Sequence, residues 1–290
     1  MNYIDLNNSN YPKKLKEIKD NPNGIYIEGN ESILNSKCIG IIGSRSFTSY
    51  GEKWCRFFVE EFVKHGITIV SGMAVGIDTI AHKTAIESGG KTIAVLPSGL
   101  NNIYPVENKE LYDKILMSKG AVITEYDKNV KANSKKFLER NRIISGISIG
   151  VLIVEAGYRS GTSVTAKFAK HQKRDVFCIP GSLDNPKSYG TNELIKKYAE
   201  LVTSPYDIVK KYGFKIEKNN INKKTKILNK NLDVPKEYKN VLRVINNEPQ
   251  DINEIAYKTG LNLKEVIPRL LMLEIKEKIK KVSGNRYILY

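Results

Sequence analysis

Short apolar runs alternate with amphipathic segments from about residue 38 to residue 209. The runs are Ile39–Ile42, Thr68–Val70, Thr92–Leu96, Val122–Glu125, Val151–Glu155 and Val176–Ile179. They are continuous rather than alternating, the pattern of strands buried on both faces. Between them Glu52–Lys64, Ile77–Glu87, Lys109–Met117 and Val164–His171 repeat apolar residues at helical spacing. Strand–helix–strand repetition predicts an α/β fold with a doubly wound, mostly parallel sheet.

The pattern changes at residues 213–235. This stretch, rich in Lys and Asn, has neither helical nor strand periodicity, so a basic linker is expected. Residues 236–290 then predict helices over Tyr238–Asn246, Ile252–Lys258 and Leu263–Leu273. Asp251 is placed as an N-cap with Glu254 completing a capping box, Gly260 as a terminator and Pro268 as a kink. A hairpin turning at Ser283–Asn285 follows. Three helices and a hairpin make a small C-terminal winged-helix domain. Residues 1–37 are left as a short lead-in to the domain over 38–212.

Of the 290 residues, 41% are apolar and 27% charged, enough for a buried core, and Lys plus Arg outnumber Asp plus Glu by 47 to 31. A net charge of +16 points to a polyanionic partner. Within residues 236–290 the balance is only +4, from 11 basic and 7 acidic residues, which is weak for duplex DNA. Cys38, Cys55 and Cys178 are far apart, and His65, His82 and His171 are scattered, so neither a disulfide framework nor a metal site is expected. No apolar signal core opens the chain, and the most apolar stretch, around Ile147 to Val154, is too short to span a bilayer. No membrane association and a cytoplasmic location are expected.

Four strand ends run into small-residue turns: Gly43-Ser44-Arg45, Ser71–Gly76, Pro97–Leu100 and Gly157–Thr162. A parallel sheet brings its strand ends to one rim, where helix N-termini offer free N–H groups to anions. Gly40-Ile-Ile-Gly43 lacks the dinucleotide spacing, and no acidic residue ends the next strand to grip a ribose. Gly89-Gly90-Lys91-Thr92 copies the end of a Walker loop but precedes a strand. Gly146-Ile-Ser148-Ile-Gly150 has the letters of a hydrolase elbow but leads into a strand instead of following one. Asp78 and His82 share one helical face and invite a catalytic reading, although organising the Ser71–Gly76 turn is the simpler role for Asp78. Lys135 to Ile144 sets Phe137 among four cations, suiting base stacking beside phosphate contacts. The same residues also suit a core aromatic with arginines paired to Glu125 and Glu155.

These blocks together resemble the DNA-processing protein A (DprA, or Smf) family. The resemblance runs through Ile41–Gly51, Ser71–His82, Thr92–Leu100 with Tyr104-Pro105, Phe137–Gly146, Val154–Ala156 with Ser160–Thr162, and Pro180-Gly181 with Gly190–Asn192. It implies an extended Rossmann-like domain that binds single-stranded DNA and loads the RecA recombinase, typically in natural transformation. It also implies a homodimer, with single-strand-binding protein as a further partner, and neither catalytic residues nor a cofactor. Carried over, Arg45 resembles a phosphate contact, with Gly43, Ser44, Ser71 and Gly72 in the adjoining turns. Phe137 resembles the base-stacking aromatic, flanked by Lys136, Arg140, Asn141 and Arg142. Ser160, Gly161 and Thr162 would donate to phosphate.

The chain departs from the family where only some thirty-odd residues precede the first expected strand, and where Asp127–Lys136 replaces a segment richer in Pro and Gly. Two rival functions remain open. One is a nucleotide-binding enzyme of the nucleoside-monophosphate glycosidase type, with Glu155 as the nearest substitute for its glutamate. The other is a winged-helix transcriptional regulator.

Overall fold

A computed structural model of the chain describes residues 1–158, 160–214, 235–246, 248–276 and 278–289. Of the expected linker, residues 215–234 lie outside the described residues. The chain divides into two compact units, Met1–Lys215 and Ile216–Tyr290.

The first unit is built on a nine-stranded sheet. Strands β3 (Cys38–Ile42), β4 (Thr68–Ser71), β5 (Thr92–Val95), β6 (Ala121–Thr124), β7 (Gly150–Ile153) and β8 (Asp175–Cys178) are parallel and fall within a residue or two of the expected runs. Their side chains are almost wholly buried, as the continuous apolar pattern requires. A two-residue β9 (Glu200–Leu201) extends the sheet parallel to β8. The strand order is β1-β2-β6-β5-β4-β3-β7-β8-β9. The chain therefore winds outward from β3 to β6, returns to lay β7 against β3, and winds the other way. That reversal, between β3 and β7, is where an open α/β sheet leaves a crevice at its strand ends.

Residues 1–37 are more than a lead-in. β1 (Asn2–Asp5) and β2 (Gly24–Gly29) form an antiparallel edge, with β2 paired to β6. These two strands bury residues singly or on one side, Ile4 in β1 and Ile25 and Ile27 in β2, so no continuous apolar run announces them. The intervening α1 (Lys13–Lys16) sends Leu15, together with Ile18, against Gly146.

Two helical layers cover the sheet. One holds α2 (Ser49–Lys64), α3 (Ile77–Glu87), α4 (Lys109–Met117) and α8 (Pro205–Lys211); the other holds α1, α5 (Ser134–Ile147) and α6 (Thr162–His171). A further helix, α7 (Tyr189–Lys197), packs on β8. Among the described residues, no helix is long and apolar enough to cross a membrane.

The second unit has three helices, α9 (Lys236–Val244), α10 (Ile252–Thr259) and α11 (Leu263–Ile275), and a sheet of β10 (Gln250–Asp251), β11 (Ile279–Val282) and β12 (Arg286–Leu289) in the order β10-β12-β11. Val241, Leu242, Ile255, Val266, Leu270 and Leu273 close its core. Asp251 caps α10 through the Asn253 N–H and not the Glu254 N–H, so the expected box does not close, and Glu254 also pairs with Lys258. The reciprocal box sits one helix later, between Asn262 and Glu265. α11 runs unbroken through Pro268. The carbonyl that Pro268 leaves without a donor belongs to Lys264, which is exposed to water.

Candidate nucleic-acid interface

The turns after β3, β4 and β7 meet at one rim. Gly76 (φ 90°) lies against the Ser44 and Arg45 backbone, a position with neither the dihedral nor the space for a side chain. The Ile77 N–H donates to the Ser44 carbonyl at 3.2 Å, and the Thr162 hydroxyl donates to the Gly43 carbonyl at 3.4 Å. Asp78 organises the turn after β4, accepting from the Gly72 N–H at 3.1 Å. Burial outweighs the nearby Arg140 charge and raises its pKa to about 6.

Helix α5 begins over this rim because it must carry the chain from the end of β6 back to the start of β7. Asn133 caps it through the Lys136 N–H at 2.9 Å. Its first two turns present Phe137, half-buried, with the Arg45 guanidinium 5.2 Å from the ring centroid and the exposed Tyr104 edge-on at 5.4 Å. Arg45 itself faces solvent. Lys136 lies 5.6 Å over the Tyr126 ring. Across the rim, the Lys187 ammonium donates to the Ser46 hydroxyl at 2.5 Å, and the Lys187 carbonyl accepts from the Ala156 N–H after β7. An aromatic face, an edge-on second ring and three partly exposed cations thus gather at the strand-end rim. Such a surface offers stacking to a base and charge to phosphates.

Arg140 is a different kind of residue. It is 3% exposed, and its guanidinium donates to the Gly72 carbonyl at 2.5 Å and to the Val95 carbonyl. Burial lowers its pKa to about 10, with Asp78 opposing that shift. The arginine thereby ties the β4 and β5 strand ends beneath Phe137, whose ring centroid is 5.9 Å away.

The sequence of residues 2–213 matches the family described as DNA recombination-mediator protein A, and residues 230–285 match the DprA winged-helix domain. The chain belongs to the DNA recombination-mediator protein A family. It is 38% identical to Protein Smf of Escherichia coli over 95% of this chain and 74% of that protein. It is 40% identical to the DNA processing protein DprA of Streptococcus pneumoniae over 70% of this chain and 72% of that protein. The solved structure of the latter superposes with a TM-score of 0.69 at 36% identity, covering 74% of this chain and 75% of that one. DNA processing protein A of Helicobacter pylori, whose structure is described in terms of a single-stranded DNA binding mode, superposes with a TM-score of 0.66 at 31% identity, covering 73% of this chain and 96% of that one.

Within this DprA-family fold the expected site residues separate into two groups. Gly43, Ser44, Arg45, Lys136, Phe137, Ser160, Gly161 and Thr162 lie on the rim. Ser44 donates to the Ser46 carbonyl at 2.8 Å, Gly161 opens onto free space, and Ser160 and Gly161 precede the first turn of α6. Ser71 and Gly72 are buried; the Ser71 hydroxyl is committed to the Ile41 carbonyl at 2.6 Å, and Gly72 to Asp78 and Arg140. Asn141 is half-buried and accepts from the Arg140 side chain at 3.2 Å. Arg142 lies five positions past Phe137, about 140° round the helix. There it binds Glu125 at 2.5 Å, with Asp20 at 3.6 Å, and does not join Phe137.

Tyr104 and Lys187 belong beside the ring and the Gly43–Ser46 turn, yet neither stands out in the sequence as a binding residue. Tyr104 sits in a matching block without a local chemical signal, and Lys187 is a lone lysine placed by long-range backbone pairing. Three catalytic-looking patterns dissolve. His82 is buried and hydrogen-bonds Thr92 through Nδ1 at 2.7 Å, away from Asp78. Ser148 is buried and donates to the Ile144 carbonyl at 2.7 Å. Glu155 accepts from both the N–H and the hydroxyl of Thr48, so it anchors the start of α2. Trp54 packs between Tyr50 and Phe57 along the same helix. The three cysteines are free and buried.

Proposed function

We propose that this DprA-family chain is a single-stranded-DNA-binding recombination mediator. It holds single strands on the strand-end rim, acts as a homodimer, and loads RecA onto strands that single-strand-binding protein would otherwise cover, as in natural transformation. One observation carries the reading: a half-buried aromatic ring, Phe137, faces the solvent-exposed Arg45 guanidinium at the sheet's reversal point. A stacking face reads no particular base and phosphates are common to every sequence, so binding is sequence-tolerant. Arg45, Lys136 and Lys187 would neutralise three phosphates, giving a slope of log affinity against log salt of about −2. The described binding mode of the Helicobacter pylori relative supports the ligand class.

Fluorescence anisotropy of labelled oligo-dT, with a matching duplex as competitor, tests the ligand. Single-strand preference that collapses in Arg45→Ala is the expected result; equal duplex binding indifferent to Arg45 overturns it. RecA loading is tested by following RecA's ATP hydrolysis on strands already coated with single-strand-binding protein. The chain should shorten the lag, and Phe137→Ala should restore it.

A further inference from the structure

The strand-end rim continues past Arg45. In the sheet order β5-β4-β3-β7-β8, Phe137 lies above the β5 and β4 ends that Arg140 ties, Arg45 follows β3, and Lys187 is bonded to the residue Ala156 after β7. Next in that line, the turn after β8 and the first turn of α2 enclose an open pocket of about 430 Å³, lined by Tyr50, Pro180, Gly181, Ser182 and Asn185. That volume is within the range of small-ligand sites. Its walls are held in place. The Tyr50 hydroxyl donates to the Pro180 carbonyl at 2.7 Å, and the Tyr50 ring leans on Trp54 with centroids 6.0 Å apart. Asn192 clasps Gly181, accepting from its N–H at 3.3 Å and donating to its carbonyl at 3.0 Å. Gly181 also lies so close to Ser188 that a Cβ would collide. Asn185 accepts from the Lys187 N–H at 2.9 Å, so the loop that walls the pocket also sets Lys187, whose ammonium reaches back to Ser46. Tyr50 is still 38% exposed. A tyrosine ring and a proline ring beside a cation repeat the chemistry of Phe137 beside Arg45.

We propose that this pocket seats a second base of the same single strand, against the Tyr50 ring, with Lys187 taking a phosphate between the two ring sites. The inference rests on the single-strand reading of the rim and extends its track from the β4 end to the β8 end. Those ends are three strand spacings apart in the sheet order, about 15 Å at about 4.8 Å per spacing. A stacked strand rising about 3.4 Å per nucleotide covers that span in about five nucleotides. The bases of a duplex are already paired and stacked on one another, so filling two separate ring sites adds to the preference for a single strand.

The test uses the full chain and oligo-dT of about twelve nucleotides, within the usual span of a single-strand site. With 5-iodouracil in place of thymine, irradiation followed by mass spectrometry should place crosslinks both on the Phe137 peptide and on Tyr50 or residues 180–187. Tyr50→Leu keeps the bulk of the side chain and removes its aromatic face. It should raise the dissociation constant for oligo-dT about fivefold or more. A fully abasic strand of the same length should bind Tyr50→Leu and the wild type equally, because it offers phosphates but no base; a displaced Lys187 would weaken both strands. Tyr50→Phe retains the ring and should bind oligo-dT as the wild type does. Circular dichroism establishes that each variant is folded. Crosslinks at Phe137 with none at the pocket, unchanged oligo-dT affinity in Tyr50→Leu, or equal weakening of the abasic strand overturns the second site and leaves the Phe137–Arg45 reading standing. Failure of the wild type to bind oligo-dT at all removes both.

Discussion

Replacing Phe137 by alanine separates stacking from charge. The ring is half-buried, so its loss costs the fold about 1 kcal/mol, a fraction of the 1.5–3 kcal/mol for a fully buried phenylalanine. That is small beside the 5–15 kcal/mol of an ordinary domain, and the variant stays folded. On the ligand side, one base loses its stacking partner, worth about 1–3 kcal/mol. The dissociation constant for oligo-dT should then rise about 5- to 150-fold. No cation is removed, so the salt slope should stay near −2. Arg45→Ala also weakens binding but should flatten the slope by about 0.7, one single-strand phosphate. The Arg45 guanidinium lies 5.2 Å from the ring centroid, within cation–π range. The two losses should therefore not add, with a coupling of about 0.5–1 kcal/mol in the double-mutant cycle. Anisotropy titrations at four or so salt concentrations read all of this. A Phe137→Ala change below twofold, or a flattened slope, would show that the ring does not stack on a base.

Four further expectations follow from the placement of charges. Arg140→Ala should destabilise the fold by about 3–5 kcal/mol in urea titrations, because it leaves Asp78 buried without its cation; weakened binding at unchanged stability would refute the scaffold role. Arg142→Ala should leave oligo-dT affinity within about twofold, since its guanidinium is held by Glu125 and Asp20 away from Phe137. Thr48→Ala should cost about 1–2 kcal/mol through the lost α2 cap and the exposed need of Glu155 for a donor, read as a lower urea midpoint. His82 has its pKa lowered to about 3, first by burial and then by Arg140. Stability from a neutral His82 is complete above about pH 6.5 and falls as acid titrates the unfolded chain through that value and on towards pH 3. Asp78, raised to about 6, acts in the opposite sense below that pH and offsets part of the loss. His82→Gln should flatten the fall in urea midpoint between pH 7 and pH 4.5, and an unchanged fall would remove His82 from the account.

The parallel strands were legible because burial on both faces writes itself as unbroken apolar runs, and α2 and α4 because one face of each packs. β1 and β2 were not, since an antiparallel strand packed mainly on one face needs few buried residues; Ile4 is the single buried residue of β1. The rim was legible as a set of small-residue turns. Its division of labour was not. Nothing in Phe137-Leu-Glu-Arg-Asn-Arg distinguishes an arginine that ties two carbonyls from one paired to Glu125 on the far side of the helix. Helical phase separates them, and phase is usable only once α5 has been placed over the strand ends. Arg45, by contrast, sits in a turn at a strand end with a charged head that favours water, and it is exposed. Lys187 was invisible for the opposite reason, its position depending on a backbone pairing with Ala156 more than thirty residues earlier in the chain.

The same commitments bear on what chemistry the rim can perform. A general acid or base has to reach its substrate with a titratable atom free to exchange a proton. Near the rim, Glu155 has both oxygens bound by Thr48, Asp78 holds the Gly72 N–H, and Glu139 accepts from Tyr126 at 3.0 Å with Lys135 at 3.6 Å. A glutamate acting on a glycosidic bond would have to abandon the start of α2, and at Gly51 even a Cβ would collide with the Glu155 carboxylate. The groups that gather around the Phe137 ring and the Gly43–Ser46 turn are cations and rings: Arg45, Lys136, Lys187, Tyr104 and the face of Phe137. Such groups suit attraction of phosphates and stacking on bases. On the proposed function, a strand held by them would also be easily surrendered, because each phosphate contact would be a solvent-facing cation that salt, or a competing protein, can replace one at a time. That is the property a mediator needs: it must keep a single strand from other ligands and then release it to a recombinase without a chemical step.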